Sequence, residues 1–145
     1  MIKIQIPATS ANLGAGFDAL GLALTYYNYI EMEECDKIDI TAADGLDIPT
    51  DERTLIYISA KDLFAVCGKK LEGLKLIQTS NIPMARGLGS SSACIIAGLV
   101  GANKMLGDPL TKDDLVDLAA QIEGHPDNTA PALLGGIVTA VFDGR

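Results

Sequence analysis

Isoleucines at positions 2, 4 and 6 alternate with Lys3 and Gln5, the period-two pattern of a strand with one buried face. Pro7 has no N–H to give a ladder, so it is expected to stop the pairing there. Further on, Leu22, Leu24, Tyr26, Ile30 and Met32 share one parity, and tyrosines at 26, 27 and 29 favour a pleated strand between Leu22 and Glu33. Ile38 and Ile40 keep the alternation and are expected to fold back as the hairpin partner of that strand. Pro49-Thr50-Asp51 then opens a helix. Its Leu55, Ile56, Ala60, Leu63, Phe64 and Cys67 fall near the helical period, and Gly68 is placed to end it. Leu74 to Thr79 predicts another strand.

The pattern then changes character. From Ser91 to Leu106 the chain is apolar almost all round, with clear polarity only at Asn103 and Lys104 and a stop at Gly107, as expected of a helix buried in the centre of a domain. Thr111 followed by Asp114 resembles a capping box in its acidic form, and Leu115, Leu118, Ala119 and Ile122 make one helical stripe ending near Glu123. Ala132 to Leu134 predicts a helical turn, and Gly136 leads into a β-branched and aromatic strand, Ile137 to Phe142. Asp143-Gly144 is a strong hairpin signal, because these residues tolerate the positive φ of a type I′ turn. Its second strand would lie beyond Arg145, so a longer polypeptide cut near residue 145 is expected. There is no internal repeat, linker or low-complexity segment.

Length and charge narrow the function. A chain of 145 residues with 48% hydrophobic and 21% charged residues reads as one globular domain, residues 1–145, large enough for a real core. Eleven Lys and Arg against nineteen Asp and Glu give a net charge of −8, which leaves no broad cationic surface for nucleic acid or an anionic membrane. The start carries no continuous apolar leader, and the longest apolar run, Ala93 to Ala102, is about half of what a bilayer crossing needs. A soluble cytoplasmic protein is expected. Cys35, Cys67 and Cys94 are odd in number and far apart, outside any CxxC or His-rich context. They suggest core fillers in a reducing compartment rather than disulfides or zinc ligands.

Three segments carry candidate chemistry. The first is Pro83-Met84-Ala85-Arg86-Gly87-Leu88-Gly89-Ser90-Ser91-Ser92-Ala93. Gly87 and Gly89 let the backbone approach a ligand closely, while the helix start that follows offers unpaired N–H groups and a positive dipole end, together a phosphate cradle. A Walker A loop would need Lys before its Ser or Thr, and the dinucleotide fingerprint would need Gly or Ala at Ser92. Taken alone, the segment reads equally well as a turn capping an ordinary buried helix. The second clue is Glu123, a carboxylate in the last turn of a helix, where it faces the negative end of the dipole. A Mg²⁺ shared with a Ser hydroxyl and phosphate oxygens would hold it there; a solvated Glu at a frayed end is the plain alternative. The third segment, residues 7–18, sets Asn12 and Asp18 on either side of two glycines, so an amide and a carboxylate could converge on a small polar ligand carrying an ammonium group; taken alone, it too reads as a turn.

Together the segments resemble the superfamily of galactokinase, homoserine kinase, mevalonate kinase and phosphomevalonate kinase, whose nucleotide loop is similar to residues 83–93. Within it the resemblance is nearest to the homoserine kinases, which carry segments like residues 7–21 and 123–136 and are roughly twice this length. The resemblance implies an α+β fold: a mixed sheet packed on one side by helices, forming the nucleotide-binding N-terminal domain, with a second, C-terminal domain absent from the chain. It implies that ATP lies along residues 83–93, its phosphates cradled by Gly87, Leu88, Gly89, Ser90 and Ser91. It also implies Mg²⁺ on Ser91 and Glu123, and L-homoserine facing Asn12, Asp18, His125 and Asn128. Asp18 would take the substrate ammonium. Asn128 stands where mevalonate-type relatives carry a catalytic Asp, and would orient the hydroxyl rather than remove its proton. Arg86 either touches a phosphate or is a solvated loop residue.

The product would be O-phospho-L-homoserine, on the route to threonine, and a homodimer is compatible with the family. Another small-molecule kinase of the superfamily and a non-catalytic nucleotide-binding fragment are the alternatives. Ser92 stands where many members have Ala, and Thr54 where they often have Asn near the adenine, which leaves the adenine contact open. The stretch from Glu123 to Asn128 is shorter than in some members. None of Arg53, Arg86 and Arg145 is placed to clamp a substrate carboxylate, so that residue is expected beyond residue 145.

Overall fold

The alternation at the N-terminus produces a longer strand than the position of Pro7 predicts. In the computed structural model, whose described residues are 1–11, 20–42, 48–80, 90–124, 129–134 and 137–139, β1 (Ile2–Ala11) runs antiparallel to β2 (Leu20–Cys35). They pair from Ile2 with Met32 to Pro7 with Tyr27, lose register, and resume with Thr9 opposite Ala23. Pro7 thus marks an irregularity on an edge strand, where a missing donor is tolerated, and pairing continues past it. Tyr26 shares the parity of buried Ile30 and Met32 yet is 52% exposed; it lies within the register shift, between the Tyr27 and Ala23 pairings, while Leu24 of the same parity packs against the core.

The expected hairpin between β2 and β3 (Ile38–Ala42) does not form. β4 (Gly73–Ser80) lies between them, antiparallel to β2 and parallel to β3, in the order β1-β2-β4-β3, while β5 (Ile137–Thr139) pairs with the start of β2. An inserted strand gains ladder partners on both edges, and buried Leu74 and Leu76 enter the core beside Ile30, Met32 and Ile40. The start of β4 crosses close to the turn after β2. The Leu74 N–H donates to the Lys37 carbonyl at 2.9 Å, and a Cβ on Gly73 would fall on the backbone of Lys37. Only glycine fits there.

The helices cover one face of this mixed sheet, as the α+β expectation required, while Lys3, Gln5, Tyr29 and Lys75 are exposed on the other. α1 (Leu55–Val66) begins later than Pro49-Thr50-Asp51 suggests. Asp51 instead closes a turn, its carbonyl accepting the Thr54 N–H at 3.2 Å and its carboxylate holding Arg53. Thr54 is the N-cap, its Oγ1 accepting the Tyr57 N–H at 3.1 Å. Gly68 follows at φ +72°, the left-handed stop its position predicts.

α2 (Ser90–Met105) is the central helix, packed against α1, β1 and β2 and then against α3 (Lys112–Glu123) and the short α4 (Thr129–Leu134). Ala93, Ile95, Ile96, Ala97, Leu99 and Ala102 are all buried. Asn103, polar on so apolar a helix, is buried and satisfied: its amide donates to the Leu110 carbonyl and accepts the Leu110 N–H, each at 3.0 Å. The capping box at Thr111 and Asp114 is present in both halves. Among the described residues no helix is long and apolar enough to cross a membrane. The Asp143-Gly144 turn lies outside the described residues.

Candidate functional site

Two of the three chemistry-bearing segments meet through a contact between helix ends. α2 begins at Ser90, directly after the glycine-rich residues, and α3 ends at Glu123, where Gly124 caps it at φ +97°. Ser92, in the first turn of α2 and fully buried, donates its hydroxyl proton to Glu123 Oε1 at 3.1 Å. A carboxylate disfavoured by the C-terminus of its own helix is therefore held at the N-terminal turn of another, whose dipole end is positive. That first turn contains no acidic residue.

The neighbouring serines divide. Ser91 is exposed and Ser92 buried, so Ser91 is available to a ligand while Ser92 is engaged with protein. Ala93 is buried in the core. Asn12, Asp18, Pro83, Met84, Ala85, Arg86, Gly87, Leu88, Gly89, His125 and Asn128 lie outside the described residues, as does the side chain of Ser90.

The described oxygen donors at these helix ends are serine hydroxyls and the Glu123 carboxylate. Among the described residues no group of three His, Cys, Asp or Glu could hold a metal ion. Mg²⁺ commonly takes one or two protein oxygens and completes its shell with phosphate and water. The exposed hydroxyl of Ser91, next in sequence to the serine that bonds Glu123, and that carboxylate are oxygen donors of the kind such a shell uses.

Behind this turn lies a polar cluster that joins β2, β4 and α2. Asn28 of β2 and Gln78 of β4 are both buried on the inward face of the sheet, and Gln78 Nε2 donates to Asn28 Oδ1 at 3.1 Å. Both amides also reach Cys94 Sγ of α2, at 3.6 Å from Asn28 and 3.7 Å from Gln78. Burial pushes the Cys94 thiol pKa up, against the pull of these two donors, which makes it a poor nucleophile. A signal for the cluster does exist in the sequence: each amide occupies the parity of buried apolar neighbours, Ile30 and Met32 for Asn28, Leu74 and Leu76 for Gln78. All three cysteines are free and only partly buried: Cys67 and Cys94 pack against the core as fillers, whereas Cys35 does not, its thiol donating to the Lys37 carbonyl at 2.9 Å. Thr54, at the position where the adenine contact is open, has its hydroxyl committed to the N-cap of α1.

Comparison with known proteins identifies the family of the chain. Residues 54–136, more than half of the chain, match the family described as GHMP kinases N terminal domain. A homoserine kinase of Carboxydothermus hydrogenoformans is 50% identical over 146 residues, which cover 99% of this chain and 48% of that protein. A solved structure from Listeria monocytogenes, assigned as a homoserine kinase, superposes with a TM-score of 0.86 at 45% identity, covering 99% of this chain and 51% of the other. Mevalonate kinase of Methanococcus jannaschii shares the fold, with a TM-score of 0.76 at 20% identity over 96% of this chain and 53% of its own. The chain spans about half the length of the curated relatives it matches.

Proposed function

The chain belongs to the GHMP kinase family, and on that premise we propose that it forms the nucleotide-binding part of an ATP-dependent kinase acting on the hydroxyl of L-homoserine. The product is O-phospho-L-homoserine, an intermediate on the way to threonine. The observation that carries the nucleotide reading is the Ser92–Glu123 contact. It joins the segment rich in Gly and Ser to the one that begins Glu-Gly-His-Pro-Asp-Asn. The choice of homoserine among small alcohols is supported by the relatives, which are 44–50% identical over nearly all of this chain.

In this reading Gly87, Leu88, Gly89, Ser90 and Ser91 hold the ATP phosphates, with Pro83 to Arg86 and Ser92 to Ala93 flanking them. Ser91 and Glu123 hold Mg²⁺. When bound, the ion neutralises charge on the phosphates during transfer. Phosphoryl transfer asks mainly for in-line positioning and charge stabilisation, so a site without a strong base is adequate. Asn128 fixes the acceptor hydroxyl by hydrogen bonding, while Asn12 and His125 line the same pocket. Asp18 pairs with the substrate ammonium, a charge that mevalonate and galactose lack, and so serves selection as well as binding.

The test is turnover by the full-length protein with ATP and homoserine, mevalonate or galactose in parallel. Phosphorylation of homoserine at a kcat/KM at least a hundredfold above the other two is expected. Preference for either of the others would overturn the substrate assignment, and no turnover of any would overturn the kinase reading.

A further inference from the structure

Ser92 does something that a cradle residue need not do. Its hydroxyl is fully buried and turned toward a carboxylate 31 residues away in sequence. A serine in the first turn of a helix more often bonds its own helix backbone or water. Glu123 in turn sits at a helix end that disfavours it, directly before a left-handed glycine, so its three side-chain torsions need a partner if the carboxylate is to keep one position.

Resting on the magnesium-nucleotide reading above, we propose that Ser92 is a positioning residue: its hydroxyl holds Glu123 at the first turn of α2, engaging Oε1 and leaving Oε2 for the cation. A single-oxygen ligand suits Mg²⁺, which keeps much of its shell for phosphate and water. Adjacent serines then have separate tasks, exposed Ser91 facing the ligand and buried Ser92 fixing the carboxylate. Such outer partners orient the ligand before the metal arrives, and their loss typically weakens metal affinity or activity about 10- to 100-fold.

The experiment measures Mn²⁺ binding to the full-length protein in the presence of ADP, by electron paramagnetic resonance, for wild type, Ser92→Ala, Glu123→Gln and the double variant. Alanine suits a helix interior, so the first substitution is compatible with folding. Ser92→Ala should weaken Mn²⁺ about tenfold while the homoserine KM stays within about twofold. In the Glu123→Gln background the same change should add less than about twofold, because Ser92 acts through Glu123. A serine of purely structural importance would shift all these quantities in either background. If Glu123→Gln weakens Mn²⁺ and Ser92→Ala does not, the positioning role is wrong and the metal site stands. If Glu123→Gln leaves Mn²⁺ binding unchanged, the metal reading falls and the positioning role with it.

Discussion

Gly98 sits where α2 and α1 come closest, and replacing it with alanine tests how rigidly the candidate site is held. A Cβ at this position would lie on the carbonyl oxygen of Ile56 and only 2.9 Å from the Cβ of Ser59. Neither obstacle is the flexible end of a side chain, so relief requires the two helices to move apart. Overpacking of a close-packed core typically costs about 1–3 kcal/mol, and a clash with backbone belongs at the upper end, about 3 kcal/mol. The intrinsic preference of a helix for Ala over Gly returns about 1 kcal/mol. The net expectation is a loss of about 2 kcal/mol, which for a domain of this size lowers the melting temperature by roughly 4–8 °C.

Gly101→Ala is the matched control, since its new Cβ would meet the thioether of Met32 and the Ile4 Cδ1 at 2.9 Å, both side-chain ends that can shift. It should cost clearly less. The assay is thermal unfolding followed by circular dichroism, with Mn²⁺ binding in the presence of ADP measured on the same samples. Gly98 lies six residues after Ser92 on one helix, about 9 Å along its axis. A displacement of α2 should therefore weaken the cation as well. A Gly98→Ala protein that melts at or above wild type, or a Gly101→Ala protein that loses more, would refute the tight approach of α1 and α2.

Three further outcomes follow from particular contacts. Asp18→Asn should raise the homoserine KM of the full-length protein by much more than the ATP KM; equal effects would assign Asp18 to the loop's structure instead. Asn28→Ala should cost about 1–3 kcal/mol in urea unfolding by leaving the Gln78 amide only the weak Cys94 sulfur as acceptor, whereas Asn28→Leu combined with Gln78→Met should cost less than the single change; strict additivity would contradict the coupled network. The Thr111 N–H holds the Asp114 carboxyl below the usual carboxylate range. Its contribution is therefore full above the unfolded-state pKa of about 4 and is lost as pH falls through the lower folded-state value. Asp114→Asn should remove that part of the acid-induced fall in melting temperature, and an unchanged profile would exclude it.

Features governed by neighbours along the chain are legible in the sequence. The capping box needs only Thr111 and Asp114, three residues apart, and the left-handed stops at Gly68 and Gly107 need only a residue without a Cβ after an apolar run. Strand order is not legible in this way, because β3 could satisfy its alternation beside either β2 or β4, and what selects β4 is a strand that arrives some thirty residues later. Likewise, Tyr26 obeys the local parity and still emerges exposed, at a register shift that belongs to the pair of strands and to neither alone.

The candidate site divides in the same way. Glu123 is conspicuous on its own, as a carboxylate at the wrong end of a dipole, but its partner cannot be chosen from sequence among three consecutive serines. Selection comes from α2's packing. The sheet face beneath this helix is apolar at Met32, Leu74 and Leu76 and turns polar at Asn28 and Gln78, and those amides reach Cys94, two residues after Ser92. Polar contacts are directional where apolar ones are not, so this cluster fixes the rotation of α2's first turns as well as their height above the sheet. Given that rotation, successive helical residues differ by about 100° in direction, and Ser92 is turned inward toward α3 while Ser91 is turned out. The proposed role of the outward serine thus rests on two buried amides in the sheet beneath it.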